Sequence, residues 1–307
     1  VSSYRALAPA KVNLGLFVGP VRAADRRHEL VSVMQSITLA DELTLAPAAP
    51  GAGGDEVVCP GVQGENLAAR ALAAFRARTG WDAPAQVLQI VKRIPVAAGM
   101  AGGSADAAAA LRLAGRASGI GDERLLLGLA AELGADVPAQ VAPGRWLASG
   151  AGERLQTLPA PAQSLGVLVL PLARELSTAA VYAETDRLAA VRPAHELERL
   201  YGELASALAR GAPLPAAAEL LHNDLQRAAA ALCPAIVAAL AQARDAGADA
   251  ALVSGSGPTV VGLFAGRDGG LDGPARAERA AGELRGRLPA PVAAREADAG
   301  FAAVVPA

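Results

Sequence analysis

Beyond Pro9 the chain alternates. Val12, Leu14 and Leu16 fall on one face of an extended segment and Lys11, Asn13 and Gly15 on the other, so residues 4–18 predict a strand with an ammonium and a carboxamide side by side on its polar face. A second alternating or apolar stretch, Val31 to Leu45, ends in a Pro/Gly/Ala-rich loop at 46–54, followed by a short strand from Glu56 to Cys59. Asn66 to Thr79 predicts a helix stopped by Gly80, and Gln86 to Val91 a strand that runs into a glycine-rich loop. Helices follow at 104–117 and 123–133, the second capped by Asp122. Gly134 sits where a helix ends, so Asp136 falls at a turn where a new element starts. Strand pieces at 146–147 and 153–158 lead to Pro-Ala-Pro-Ala at 159–162, the expected domain boundary, which gives domains 1–160 and 161–307. The second part predicts a buried strand at 165–170 and helices near 178–190, 194–209, 215–230 and 234–246. Then come a strand at 250–253, a second glycine loop at 254–259, a strand at 260–265, a helix at 274–287 and a strand at 291–294. The pattern is α+β, helices on sheet, with no fixed-period repeat.

Composition narrows the function class. Of 307 residues, 52% are hydrophobic but only 3% aromatic, so the core is expected to consist of small aliphatic side chains and alanine-rich helices. A net charge of -2 without a basic stripe argues against nucleic acid and points to small-molecule partners. Every apolar run is broken before the roughly 18 residues that a bilayer span needs, and no basic stretch, apolar run and cleavage site open the chain. Cys59 and Cys233 lack metal-ligand spacing and His28, His195 and His222 form no zinc motif; no metal site is assigned, and a reducing, cytoplasmic location is expected. All 28 basic residues are Arg except Lys11 and Lys92. An ammonium is a compact point charge that enters narrow sites where a guanidinium plane does not, so each retained Lys calls for a reason.

The candidate chemistry starts in the loop. Gly99, Gly102 and Gly103 let backbone approach a ligand closely, and the helix behind them offers unpaired N–H groups and the positive end of its dipole, the makings of a phosphate cradle. It is neither the P-loop, since no Lys follows the glycines, nor the dinucleotide fingerprint. The plainer alternative is a tight turn capping a core helix. Asp136 likewise reads as an N-cap, Lys11 as a solvated edge charge, Ser104 and Ser256 as turn caps or as hydroxyls for a phosphate or magnesium ion, and Asp106 as a dipole partner.

The polar strand face with Lys11 and Asn13, the 95–106 loop and the 254–259 loop occur in the order of three motifs of the galactokinase, homoserine kinase, mevalonate kinase and phosphomevalonate kinase (GHMP) superfamily, which the chain resembles. Ala8-Pro9-Ala10-Lys11-Val12-Asn13-Leu14, Gly134-Ala135-Asp136-Val137-Pro138, Leu176-Ser177-Thr178 with Val181-Tyr182, Asn223-Asp224-Leu225 and Ser254-Gly255-Ser256-Gly257-Pro258-Thr259 extend the likeness over nearly the whole chain. The resemblance implies a two-domain GHMP kinase fold, an N-terminal domain like domain 2 of ribosomal protein S5 and a ferredoxin-like C-terminal domain, with the site in the cleft between them. It implies ATP with Mg2+ as cofactors and phosphorylation of the 2-hydroxyl of a small molecule, a cytidine-diphosphate-linked methylerythritol, by a monomer or weak homodimer. Lys11 and Asp136 would be catalytic, the carboxylate taking the hydroxyl proton and the ammonium stabilising developing charge. Pro95, Val96, Ala97, Ala98, Gly99, Met100, Ala101, Gly102, Gly103 and Ser104 would hold ATP; Asn13, Arg27, His28, Tyr182, Gly255, Ser256 and Gly257 would hold the acceptor. In the family pattern a Gly-Tyr-His segment and a second aromatic sandwich the base. Here His28 and Tyr182 match, whereas Arg26 and Arg27 stand in place of Gly and Tyr, and Arg27 offers a guanidinium plane for stacking or for a diphosphate. Ala98 and Pro143 are smaller departures from glycines. A kinase with a more anionic acceptor and a ligand binder without turnover remain the alternatives, the second disfavoured because a pure binder needs no base beside an ammonium. His222-Asn223-Asp224 has no nucleophile elbow beside it and is expected to fix helix packing.

Overall fold

The computed structural model describes the chain apart from residues 1, 63, 268, 269, 288 and 289. Two long strands, β1 (Tyr4–Val21) and β2 (His28–Pro47), pair antiparallel and form the spine of the first sheet. Register shifts between Pro9 and Lys11 and between Asn13 and Gly15 bend the pair where the polar residues sit. With β3 (Glu56–Val58), β4 (Gln86–Val91) and β11 (Val305–Pro306) the order is β11-β1-β2-β4-β3. The front half of β2 leaves this path to pair with β5 (Arg145–Ser149), which pairs with β6 (Arg154–Leu158). The alternation in β1 does not mark a solvated face: residues 8–19 are all buried. Its apolar side joins the core shared with the second sheet, and its polar side is roofed by the glycine loops.

Helices α1 (Leu67–Thr79), α2 (Gly102–Ser118), α3 (Glu123–Leu133) and α4 (Val137–Val141) cover this sheet. The caps are those expected: Asn66 Oδ1 accepts from Ala68 N at 2.9 Å, Asp122 Oδ1 from Leu125 N at 2.9 Å, and Gly80 closes α1 with φ +67°. In α2, Ala105 and Ala107 to Ala110 are buried, and their small side chains let α1 and the sheet pack closely.

The second sheet, order β10-β7-β9-β8, is antiparallel and built from β7 (Gly166–Leu170), β8 (Ala250–Val253), β9 (Val260–Phe264) and β10 (Val292–Arg295). α5 (Thr178–Arg187), α6 (Ala194–Leu208), α7 (Gln226–Leu232), α8 (Ala235–Asp245) and α9 (Gly273–Glu283) accompany it. The helix expected over 215–230 is absent in its first part. A 3-10 turn at Ala218–Leu220 and an extended residue, Asn223, replace it, and helix resumes only at Gln226. Leu16 N donates to His222 O at 2.8 Å and Asp224 N to Leu16 O at 3.0 Å, so hydrogen bonds to β1 override the helical propensity of an alanine-rich stretch. α4 is the new element expected beyond Gly134, and β11 is an element that the sequence pattern does not signal.

The two sheets share one core: Val12, Leu14, Val33 and Ile37 cluster with Val167, Val169, Leu252 and Leu263, closed by Leu200 and Leu204 of α6. Residues from 297 onward return to the first sheet. Ala297 N donates to Ser36 O at 2.8 Å, and Arg112 bonds Ala302 O at 2.7 Å and Leu7 O at 3.0 Å. At the far side, β7 meets the start of α9 backbone to backbone, because a Cβ on Gly166 would overlap the Gly273 carbonyl. Gly166→Ala is expected to cost about 1–3 kcal/mol by overpacking, read as a lower urea midpoint at unchanged m-value. An unchanged midpoint would mean that α9 slides freely on the sheet.

Candidate active site

The roof of β1 is a cleft of about 490 Å³ whose wall takes in Lys11, Asn13, residues 95–103, Asp136, Tyr182, Gly255 and Ser256. In the 95–101 loop, Ala97 (φ +53°), Gly99 (φ +75°) and Ala101 (φ +54°) are left-handed, in alternation with residues that are not. That zigzag turns successive N–H groups to one side, an anion-binding concavity. Among the described residues, no N–H from Val96 to Ser104 has a hydrogen-bond acceptor. Left-handed alanines carry strain of about 1–2 kcal/mol each, a cost that the surrounding contacts hold in place. α2 begins at Gly102, two residues earlier than its pattern suggests, and brings its N-terminus to the same place.

Two glycine loops meet here. A Cβ on Gly99 would overlap the Ser254 carbonyl, one on Gly255 would stand 2.9 Å from Gly99 O, and Ser254 Oγ donates to Gly99 O at 3.1 Å. Beneath the contact, Lys11 N donates to Met100 O at 3.2 Å. The Lys11 ammonium donates to Asn13 Oδ1 at 2.9 Å; Asn13 Nδ2 donates to Ser32 Oγ at 2.8 Å, and Ser32 Oγ to Gly15 O at 2.7 Å. This relay leaves the ammonium 4.0 Å from Asp136 Oδ2, with Lys11 nearly buried and 43% of the Asp136 side chain exposed. Asp136 occupies the N-cap position of α4 but makes no side-chain cap bond. Its carboxylate is therefore free for the cleft, which decides against the capping reading.

The second lysine is accounted for as well. Asp41, fully buried, accepts from Arg93 N at 2.5 Å and Ile94 N at 2.8 Å on one oxygen and from Lys92 on the other, and Lys92 also donates to Asp106 Oδ2 at 2.7 Å. Burial opposes the Lys92 charge, but Asp106 and Asp41 together hold its pKa above the ordinary value. One ammonium serves two buried carboxylates, and Asp41 has the better share. Burial, reinforced by Asp41, pushes the Asp106 carboxyl up to about 7, and its Oδ1 has no partner among the described residues. Asp106 lines the cleft and is more than a solvated dipole partner.

At the other end, Tyr182 and His28 stack with centroids 5.2 Å apart. His28 Nδ1–H donates to Gly19 O at 2.8 Å, and its Nε2 lies 3.3 Å from Asp186 Oδ1. A base between two rings needs roughly twice the ~3.5 Å van der Waals separation. At 5.2 Å the two rings stand too close together to hold a base between them. Burial, with Asp136 nearby, pushes the Tyr182 phenol up to about 12. Arg27 Nη2 donates to Ala151 O at 2.7 Å, and Arg26 holds the left-handed φ of +60° at the position where the resemblance has glycine. Arg27, His28, Ser104 and Gly257 stand outside the cleft wall proper. Sequence reasoning missed its far corner, Cys59, Val62, Asn66 and Lys92, for which the helix-start signal at Asn66 and the scarcity of Lys were the available clues. Ser32, Met34 and Ala148 enter from strands whose pattern says nothing of a site.

Comparisons with known proteins agree along the chain. Residues 66–144 match the GHMP kinases N terminal domain and residues 204–290 the GHMP kinases C terminal domain. A 4-diphosphocytidyl-2-C-methyl-D-erythritol kinase of Kineococcus radiotolerans is 43% identical over 272 residues, covering 85% of this chain and 81% of its own length. One from Streptomyces avermitilis is 44% identical over 294 residues, covering 92% and 95%. A crystal structure of 4-(cytidine 5'-diphospho)-2C-methyl-D-erythritol kinase superposes with a TM-score of 0.75 at 33% identity, over 95% of this chain and 98% of that one. The homoserine kinase of Cytophaga hutchinsonii, 16% identical, has the same fold with a TM-score of 0.73 over 99% and 98%.

The buried Asp106, with one carboxylate oxygen on Lys92 and the other without a partner among the described residues, gives a pH signature. Its folded pKa lies above the ordinary 3.8, so the folded protein keeps a proton that the unfolded chain releases. Its contribution to stability therefore declines as pH rises from about 4 to about 7. Asp106→Asn should flatten that part of the urea midpoint against pH curve relative to the parent; parallel curves would show that the carboxyl titrates normally.

Proposed function

We propose, from the premise that the chain belongs to the GHMP kinase family, that its cleft transfers the γ-phosphoryl group of ATP to the 2-hydroxyl of 4-diphosphocytidyl-2-C-methyl-D-erythritol. The observation that carries this reading is the Lys11–Asp136 pair, 4.0 Å apart, facing a loop of acceptor-free N–H groups. Phosphoryl transfer asks a protein for in-line placement and for neutralisation of charge, and these residues supply both. The 95–104 backbone and the α2 N-terminus take the phosphates. The acceptor hydroxyl, between Asp136 and the γ-phosphorus, passes its proton to the carboxylate as its oxygen forms the new P–O bond. The bond from the γ-phosphorus to the β–γ bridging oxygen breaks, and ADP leaves with that electron pair. Lys11, pinned by Asn13, stabilises the charge on the group in transit.

Magnesium fits this reading as a companion of the triphosphate. Among the described residues no three His, Cys, Asp or Glu side chains cluster as a metal site, which suits an ion held mainly by phosphate oxygens and water. Ser104 and Asp106, at the first turns of α2, are the side chains nearest in sequence to the loop that could support it, and the ion would neutralise phosphate charge. His28, Tyr182 and Arg27 serve the cytidine diphosphate end, with Asn13 and residues 255–257 toward the reacting alcohol. The same reading divides the chain near 160 and makes the protein a cytoplasmic enzyme of small molecules, a monomer or weak homodimer with no nucleic-acid partner. Its two free cysteines fit the reducing compartment that this reading expects.

ADP release measured with ATP, magnesium and the cytidine-linked acceptor tests the proposal. Release should depend on the acceptor; release only with other alcohols would reassign the substrate, and none with any acceptor would leave a binding protein. Lys11→Ala and Asp136→Ala should each lower kcat by at least about a hundredfold in protein that stays folded by circular dichroism. Near-normal turnover in either variant removes that residue from the mechanism. Tyr182→Ala should raise KM for the cytidine compound by the roughly 1–3 kcal/mol of a stacked base, with KM for ATP unchanged. An unaltered acceptor KM would assign Tyr182 to the core.

A further inference from the structure

Asn223 is buried, 2% exposed, and stands behind the cleft wall, not in it. Its three side-chain hydrogen bonds all go to backbone. Nδ2 donates to Val253 O at 2.7 Å and to Gly255 O at 2.8 Å, and Oδ1 accepts from Leu225 N at 2.9 Å. Two carbonyls on one side and an N–H on the other admit only one orientation of the amide. Its own backbone is held too, by the bonds of His222 O and Asp224 N to Leu16 and by Asp224, which accepts from Val18 N at 2.9 Å and pairs with Arg192 at 2.7 Å. Asn223 is therefore a fixed point from which the 254–257 loop hangs.

The consequence lies in the peptide between Gly255 and Ser256. A trans peptide is planar, with C=O and N–H pointing in opposite directions. Asn223 draws the Gly255 carbonyl into the buried side, so the Ser256 N–H points the other way, toward the cleft that Gly255 and Ser256 line. Among the described residues neither the Gly255 nor the Ser256 N–H has an acceptor. Gly255 has φ +55°, and a Cβ there would stand 3.5 Å from the Lys11 ammonium. Two free donors in succession beside an ammonium make a site for anionic oxygen.

We propose that Asn223 is a positioning residue for phosphoryl transfer: by holding the Gly255 carbonyl it aims the Ser256 N–H, beside Lys11, at an oxygen of the phosphoryl group in transit. The proposal rests on the kinase reading above. Without the Asn223 donor the peptide is free to turn over, which would present a carbonyl oxygen where a donor is needed and repel the charge that develops there. The loss then falls on the chemical step and not on ATP affinity, which the 95–104 loop governs.

Asn223→Asp tests this, because it keeps the acceptor for Leu225 N and replaces the donor with a second oxygen. Per folded molecule, kcat should fall at least about tenfold, with KM for ATP within about threefold of the parent. A merely structural role would lower the melting temperature and leave kcat per folded molecule intact, and a kcat within threefold of the parent overturns the proposal. The parent protein run alongside separates the two claims, since failure of acceptor-dependent ADP release in the parent sinks the kinase reading itself. Should the variant not fold, the 15N amide resonance of Ser256 in the parent decides. It must shift when ADP, magnesium, aluminium fluoride and the cytidine-linked acceptor are added together, and a resonance that stays put overturns the assignment.

Discussion

The contact between two backbones, Gly99 against Ser254 to Gly257, is the constraint on which the cleft depends. One loop comes from the first sheet and its helices, the other from the second sheet, and they approach so closely that no side chain fits between them. That approach fixes the distance between the acceptor-free N–H groups of the 95–104 loop and the polar end of β1. Lys11 joins the junction twice: its backbone N–H donates to Met100 O, and its ammonium lies beside Gly255, where a Cβ would stand 3.5 Å from it.

Charge is placed with similar economy. Lys11 is fixed by a neutral carboxamide, so its attraction remains available to Asp136 and to a phosphate. Lys92, a few residues before the loop, is fixed by two carboxylates and has little left to give. The same residue type thus does opposite work at the two ends of one cleft. Asp41 joins the first sheet to the loop through the N–H groups of Arg93 and Ile94, so a buried carboxylate serves as a strut for backbone that carries no side-chain ligand of its own.

Much of this is legible in the sequence, and for identifiable reasons. Caps and stops depend on local chemistry, so Asn66, Gly80 and Asp122 mark their helices well. The glycine loop declares itself by composition, although the left-handed Ala97 and Ala101 show that its shape is imposed by contacts and not by glycine alone. What was hidden depends on partners remote in sequence. The stretch at 215–225 has the composition of a helix and is pulled straight by β1; β11 is two residues long and recognisable only by its partner. The two faces of β1 look different in sequence yet are equally buried, because the loop that covers the polar face arrives some 90 residues later. The stacking of His28 on Tyr182 likewise brings together residues remote in sequence, which no local pattern announces.

The return of the last residues to the first sheet carries a consequence for biogenesis. β1 leaves the ribosome well before β11, yet one of its edges is completed by Val305 and Pro306, and Arg112 spans Leu7 and Ala302 across the same seam. Until translation reaches that point the N-terminal half holds an open strand edge and a buried guanidinium with half of its acceptors missing. A chain made from its N-terminus can therefore close this seam only after both partners have been synthesised.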